Sequence, residues 1–140
     1  MNRINFIDTE QNQQDLLNAL IRLQIRVGMT EFNNKPETEK LPIEFQKIGN
    51  FELDVIAIEI VSNNIVMLDH DELSFKMGIA ASSLKNFVKA LSVIEIHFEK
   101  RVQNKESIDD VVQINDVVTK ATEISGHKDF FWYYAMTLGI

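Results

Sequence analysis

Apolar residues recur along this chain with two different spacings, and the switches between them mark the elements. Near the N-terminus, Leu16, Leu17, Leu20, Ile21, Leu23 and Val27 follow the three-and-four spacing of a helix with one buried face. Asp8 with Gln11 three residues on reads as its N-cap, and Gly28 is placed to end it. Ahead of that helix, residues 1–8 form a lead-in whose Ile4 and Phe6 are expected to tuck against the core. The polar run 33–40 reads as a surface loop. Leu41-Pro42 with Phe45 and Ile48 reads as one short helical turn, with Pro at the start and Gly49 at the exit.

From Phe51 the period changes. Residues 55–61 and 65–68 are rich in β-branched side chains and predict two strands. Asn63 and Asn64 lie between them, and Asn tolerates the positive φ of a two-residue hairpin turn. Such a turn pairs Ile60 with Met67, Glu59 with Leu68 and Ala57 with His70, placing Ile56, Ile58, Ile60 and Met67 on one core-facing side. Residues 73–79 alternate weakly and predict a third strand. Ser82 or Ser83 then caps a helix carrying Leu84, Phe87, Val88, Leu91, Ile94, Phe98 and Val102. Ser107 with Asp110 is a further capping signature, opening a helix with Ile108, Val111, Val112, Val118 and Ala121 that closes near Gly126. A last helix holds Phe130, Phe131, Trp132, Tyr133, Tyr134 and Met136. The order helix, strands, helices predicts an α+β fold: an antiparallel sheet with helices on one face, an N-terminal helix and a helical C-terminal half.

Composition narrows the picture. At 140 residues the chain is most simply a single domain, 1–140. It has no cysteine, which excludes disulfides and thiolate chemistry, no apolar run of bilayer length and no secretory leader, so a cytoplasmic protein is expected. Net charge is −7, and its placement matters more than its size. Between Lys47 and Lys76 there is no lysine or arginine, while Glu52, Asp54, Glu59, Asp69, Asp71 and Glu72 all fall there. That sign opposes nucleic-acid binding, which needs cations for the phosphates. It suits either a basic protein partner or a solvated acidic surface.

The chemistry-bearing residues do not assemble into a reaction. Asp69-His70-Asp71-Glu72 are metal-competent types, but strand alternation sends neighbours to opposite faces, and no second histidine stands at helical spacing. An ion pair between His70 and Glu59 is the expected role, with no metal and no cofactor. No nucleophile elbow, zinc-helix motif or glycine-rich phosphate loop is present, so no enzyme is expected. The run Phe130, Phe131, Trp132, Tyr133 and Tyr134 faces all round a helix axis. It is therefore either docked deeply in the core or part of a homodimer contact.

The wording of residues 41–95 resembles the SUKH superfamily of fungal cell-wall assembly regulators and bacterial toxin-immunity proteins. The resembling pieces are Leu41-Pro42-Ile43-Glu44-Phe45 with Ile48-Gly49, the paired strands, Val66-Met67-Leu68-Asp69-His70-Asp71, and Ile79-Ala80-Ala81-Ser82-Ser83-Leu84-Lys85-Asn86-Phe87-Val88. The chain departs from the pattern in lacking an Asn-Gly-Gly-like stretch after the Leu-Pro segment and a tryptophan in the strands. The resemblance implies a non-enzymatic binding domain of SUKH-like fold. It would be an immunity protein neutralising a basic toxin domain, with the six acids of residues 52–72 as partner-facing groups, or alternatively a regulatory scaffold of the cell-wall type.

Overall fold

A computed structural model describes residues 3–103 and 111–130. Ile4–Phe6 form a 3-10 turn in which Ile4 is buried, whereas Phe6 is 79% exposed and does not join the core. Helix α1 spans Gln13–Arg22. Its N-cap is Asn12, whose side chain accepts the Asp15 N–H at 2.9 Å. Asp8 and Gln11 do interact, but in a turn before the helix. The C-terminus closes with Ile25 N–H on Leu20 C=O and Gln24 N–H on Ile21 C=O, both 3.1 Å. Gln24 takes the left-handed position, φ 53°, that glycine usually fills. The helix therefore stops before Gly28, and Val27 belongs to the sheet.

The sheet is a six-stranded antiparallel meander in chain order: β1 Arg26–Val27, β2 Thr30–Phe32, β3 Phe45–Phe51, β4 Asp54–Glu59, β5 Ile65–Asp69 and β6 Glu72–Ala81. Gly28 turns β1 into β2. The helical turn expected at residues 41–49 reduces to one bond, Phe45 N–H to Pro42 C=O at 3.1 Å, after which the chain is strand. A bulge between Lys47 and Gly49 shifts the β3–β4 register and turns Ile48 inward. That bulge produces the three-residue apolar spacing that imitates a helix. Gly49 is required there: a Cβ on it would lie 2.2 Å from the Glu31 carbonyl oxygen of β2.

The β4–β5 hairpin forms, with a different register. Observed pairs are Val55 with Leu68, Ile56 with Met67, Ala57 with Val66 and Ile58 with Ile65. The connection is wider than a two-residue turn. Glu59 and Asn64 close it, Asn63 N–H donates to Glu59 C=O at 2.8 Å, and only Asn63 has positive φ, 63°. Ser62 Oγ braces the loop by bonding Glu59 Oε1 at 2.7 Å and accepting the Asn64 N–H at 3.2 Å. The register moves by an even number of residues, so face assignment survives. Ile56, Ile58 and Met67 do face the main core. Ile60 lies beyond the strand end and is 56% exposed.

Helix α2, Leu84–Gln103, starts at Ser83, whose Oγ accepts the Asn86 N–H at 3.1 Å. It buries Leu84, Phe87, Val88, Leu91 and Ile94, and Phe98 packs at the margin. Phe87 stands edge-on to Phe32 (centroids 6.0 Å) and to Phe130 (6.4 Å). Helix α3, Val111–Ser125, buries Ile114, Val118 and Ala121, while Val112 is exposed. It ends at Gly126, φ 79°. Ser107, Ile108 and Asp110 lie outside the described residues. Residues of α1, α2 and α3 share one core cluster with a single sheet face, an α+β arrangement with a helical C-terminal half. The opposite face carries a second, smaller cluster of Val55, Ala57, Val66, Leu68 and Leu73, on which Leu41 from the 33–44 loop packs. No helix among the described residues is long and apolar enough to cross a membrane.

Candidate functional site

The β4–β5 register decides where the acids go. Pairing Val55 with Leu68 sets the start of β4 beside the end of β5, so the β3–β4 and β5–β6 turns are neighbours. Glu52 sits in the first turn and Asp54 opens β4 beside it; Asp69 ends β5, Asp71 sits in the second turn and Glu72 opens β6. Glu59 is separated from this group. It sits at the far end of β4, bound to Ser62 Oγ and to Lys76 Nζ at 3.1 Å. Those two hydrogen bonds, Ser62 first, hold its carboxyl below the usual range. Glu52, Asp71 and Glu72 are exposed, and Asp54, Asp69 and Glu59 are half-buried.

His70 is at the centre of the acidic end, and its partner is Asp54, not Glu59. Its Nδ1 is 2.7 Å from Asp54 Oδ1, which also accepts the His70 backbone N–H at 3.1 Å. Asp69 Oδ1 lies 3.9 Å from Nδ1, and Asp71 Oδ1 lies 3.5 Å from Nε2. The Asp54 hydrogen bond raises the imidazole above the ordinary histidine range; partial desolvation opposes this, and the charges of Asp71, Asp54 and Asp69 add to it. The convergence that alternation forbids within one strand is achieved because the chain has turned at His70 and Asp54 arrives from β4. Ligand atoms of Asp54, Asp69 and His70 all lie within 4.8 Å of one another.

In front of the two turns is a cleft of about 340 Å³ lined by Glu37, Thr38, Glu39, Leu53, His70, Asp71 and Leu73. Leu53, at the tip of the β3–β4 turn, is 70% exposed. Glu37 accepts hydrogen bonds from Asn50 and Lys47; burial pushes its carboxyl up, but these bonds outweigh burial and leave it below the usual range. Glu37, Glu39 and Leu53 were not among the expected site residues. Their separation in sequence hides them, and the only hint is the acidic content of the 33–44 loop. Among the described residues no lysine or arginine is within ion-pairing reach of Glu52, Asp54, Asp69, Asp71 or Glu72.

Of the expected self-association residues, Phe130 is fully buried against Phe87. Phe131, Trp132, Tyr133 and Tyr134 lie outside the described residues. A separate groove of about 260 Å³ between α2 and α3 is lined by Val93, Ile96, Val117 and polar residues that include His97, Lys100 and Lys120. No family model matches the chain, and comparison with curated proteins and with solved structures found no match.

Proposed function

We propose that this chain is a non-enzymatic protein-binding domain whose acidic end captures a basic partner. On that reading it acts as an immunity-type protein of the SUKH-like kind, neutralising a cognate toxin domain inside the cell. The supporting observation is the acidic end itself, whose carboxylates outnumber their one cationic neighbour among the described residues, His70. Two neighbouring turns and the strand ends beside them carry Glu52, Asp54, Asp69, Asp71 and Glu72 at the same end of the sheet as the exposed Leu53, and among the described residues no lysine or arginine pairs with them. An exposed apolar side chain beside carboxylates whose cationic neighbour is His70 suits a lysine- or arginine-rich surface: charge steers association and selects the partner, and Leu53 gives a desolvated contact. Glu59 is excluded from the binding group because it is already bound to Lys76 and Ser62.

The test is capture from the native host lysate at low and high salt, with the wild type and two variants. A triple charge reversal, Glu52→Lys with Asp71→Lys and Glu72→Lys, touches exposed residues only. Glu59→Lys changes the other end of the sheet. The proposal expects one basic protein, released by salt, lost with the triple variant and kept with Glu59→Lys. A partner that binds the triple variant equally well refutes the acidic-end reading. Several weaker partners with a cell-envelope phenotype on deletion point instead to the regulatory-scaffold reading.

A further inference from the structure

We propose that Asp54, Asp69 and His70 form a binding site for a divalent first-row transition-metal ion, with zinc as its representative. This is independent of the protein-binding reading and involves a different property of the same end of the sheet. Asp54 opens β4 and Asp69 ends β5, with His70 next to it in the β5–β6 turn, so the group is assembled by the β4–β5 register together with that turn. His70 Nδ1 is 2.7 Å from Asp54 Oδ1 and 3.9 Å from Asp69 Oδ1, and all three ligand atoms fall within 4.8 Å. Ligands each about 2.0–2.2 Å from one ion stand about 3.3–3.6 Å apart in a tetrahedral shell, so small side-chain rotations suffice.

The imidazole distinguishes this group from an acidic patch. One nitrogen and two carboxylate oxygens suit zinc, cobalt or nickel better than calcium or magnesium, which prefer all-oxygen shells. Asp71 is placed to support the ring by its charge rather than by a hydrogen bond. Its Oδ1 lies 3.5 Å from Nε2, on the far side of the ring, where a carboxylate favours the proton on Nε2 and leaves Nδ1 with its lone pair. The ion would replace the proton that His70 and Asp54 share, and water from the open cleft would complete its shell. Its positive charge would also offset carboxylates that no lysine or arginine balances.

Zinc chloride titrated into the full chain at pH 7.5, followed by calorimetry and by the His70 ring signals in NMR, tests this. The proposal expects one ion per chain, a selective shift of the His70 ring, and weaker binding of calcium. Asp54→Asn and His70→Gln should each weaken zinc binding at least ~10-fold. Glu72→Gln removes the same charge next door and should leave it within ~2-fold. His70 is exposed, so its variant stays folded, and a chemical melt of each variant verifies that. Zinc affinity weaker than about 1 mM, an unmoved His70 ring, or equal weakening by Glu72→Gln overturns the site.

Discussion

His70 Nδ1 lies 2.7 Å from Asp54 Oδ1, and the His70 backbone N–H reaches the same oxygen at 3.1 Å, so one carboxylate ties the β5–β6 turn to the start of β4. The Asp54 hydrogen bond favours the imidazolium, and the native pKa of His70 is raised above its ordinary value. The sign follows. A group whose folded pKa exceeds its unfolded value adds stability that is complete below about 6.5 and is lost as pH rises through the higher native value. An NMR titration of the metal-free chain should place His70 above the ordinary histidine value, and Asp54→Asn should bring it down. A His70 titration unmoved by Asp54→Asn would falsify the tie.

Gly49→Ala should destabilise the chain severely. The added Cβ would meet the Glu31 carbonyl oxygen of the neighbouring strand at 2.2 Å, and that oxygen belongs to the β2–β3 ladder. Relief requires the two strands to part, so the cost should exceed the ~1–3 kcal/mol typical of overpacking. Urea denaturation measures it. A loss under ~1 kcal/mol means that the bulge relaxes freely and that Gly49 is not needed for close approach.

Glu52→Gly should leave the chain as stable or slightly more stable while removing one acid from the candidate interface. Glu52 holds φ 52° in the two-residue β3–β4 turn. A left-handed non-glycine residue costs ~1–2 kcal/mol, against ~0.5–1 kcal/mol of extra chain entropy for glycine. The expected change in a urea melt is therefore a gain between zero and ~1.5 kcal/mol. A clear loss means that the Glu52 side chain makes a stabilising contact that outweighs its backbone strain.

Helix α2 was legible because Leu84, Phe87, Val88, Leu91 and Ile94 repeat a single helical period and nothing interrupts it. The sheet was legible in its faces but not its register. Ile56, Ile58 and Met67 point where alternation sends them, yet the hairpin loop is set by Ser62 and Glu59 side-chain bonds that no two-residue turn rule contains. β3 was misread for a similar reason, since one bulged residue at Ile48 converts a period of two into an apparent period of three. The candidate site inherits both errors. Its acids were visible as letters, but the partnership of Asp54 with His70 depends on the register, and Glu37 with Leu53 depends on how a long loop crosses the sheet.

Gly126 joins the end of α3 to the start of α2, and its replacement separates two costs. Ser82 N–H and Oγ both donate to Ser125 C=O, at 2.9 and 3.2 Å, and Asn86 Nδ2 donates to Ser82 Oγ at 2.9 Å. A Cβ on Gly126 would lie 2.5 Å from that Oγ, and its φ of 79° is itself unfavourable to any other residue. Gly126→Ala should therefore cost ~2–3 kcal/mol, the backbone term plus the displaced hydroxyl. Ser82→Ala alone should cost ~1 kcal/mol for its lost hydrogen bonds. In the double variant the hydroxyl collision is gone, and the backbone and hydrogen-bond terms remain with a milder 3.2 Å approach to the residue-82 Cβ. The double-mutant cycle should then show a favourable coupling of ~1 kcal/mol, read from urea melts of all four chains. Strict additivity would mean that the hydroxyl never opposed the methyl group, and that the positive φ alone requires glycine at this joint.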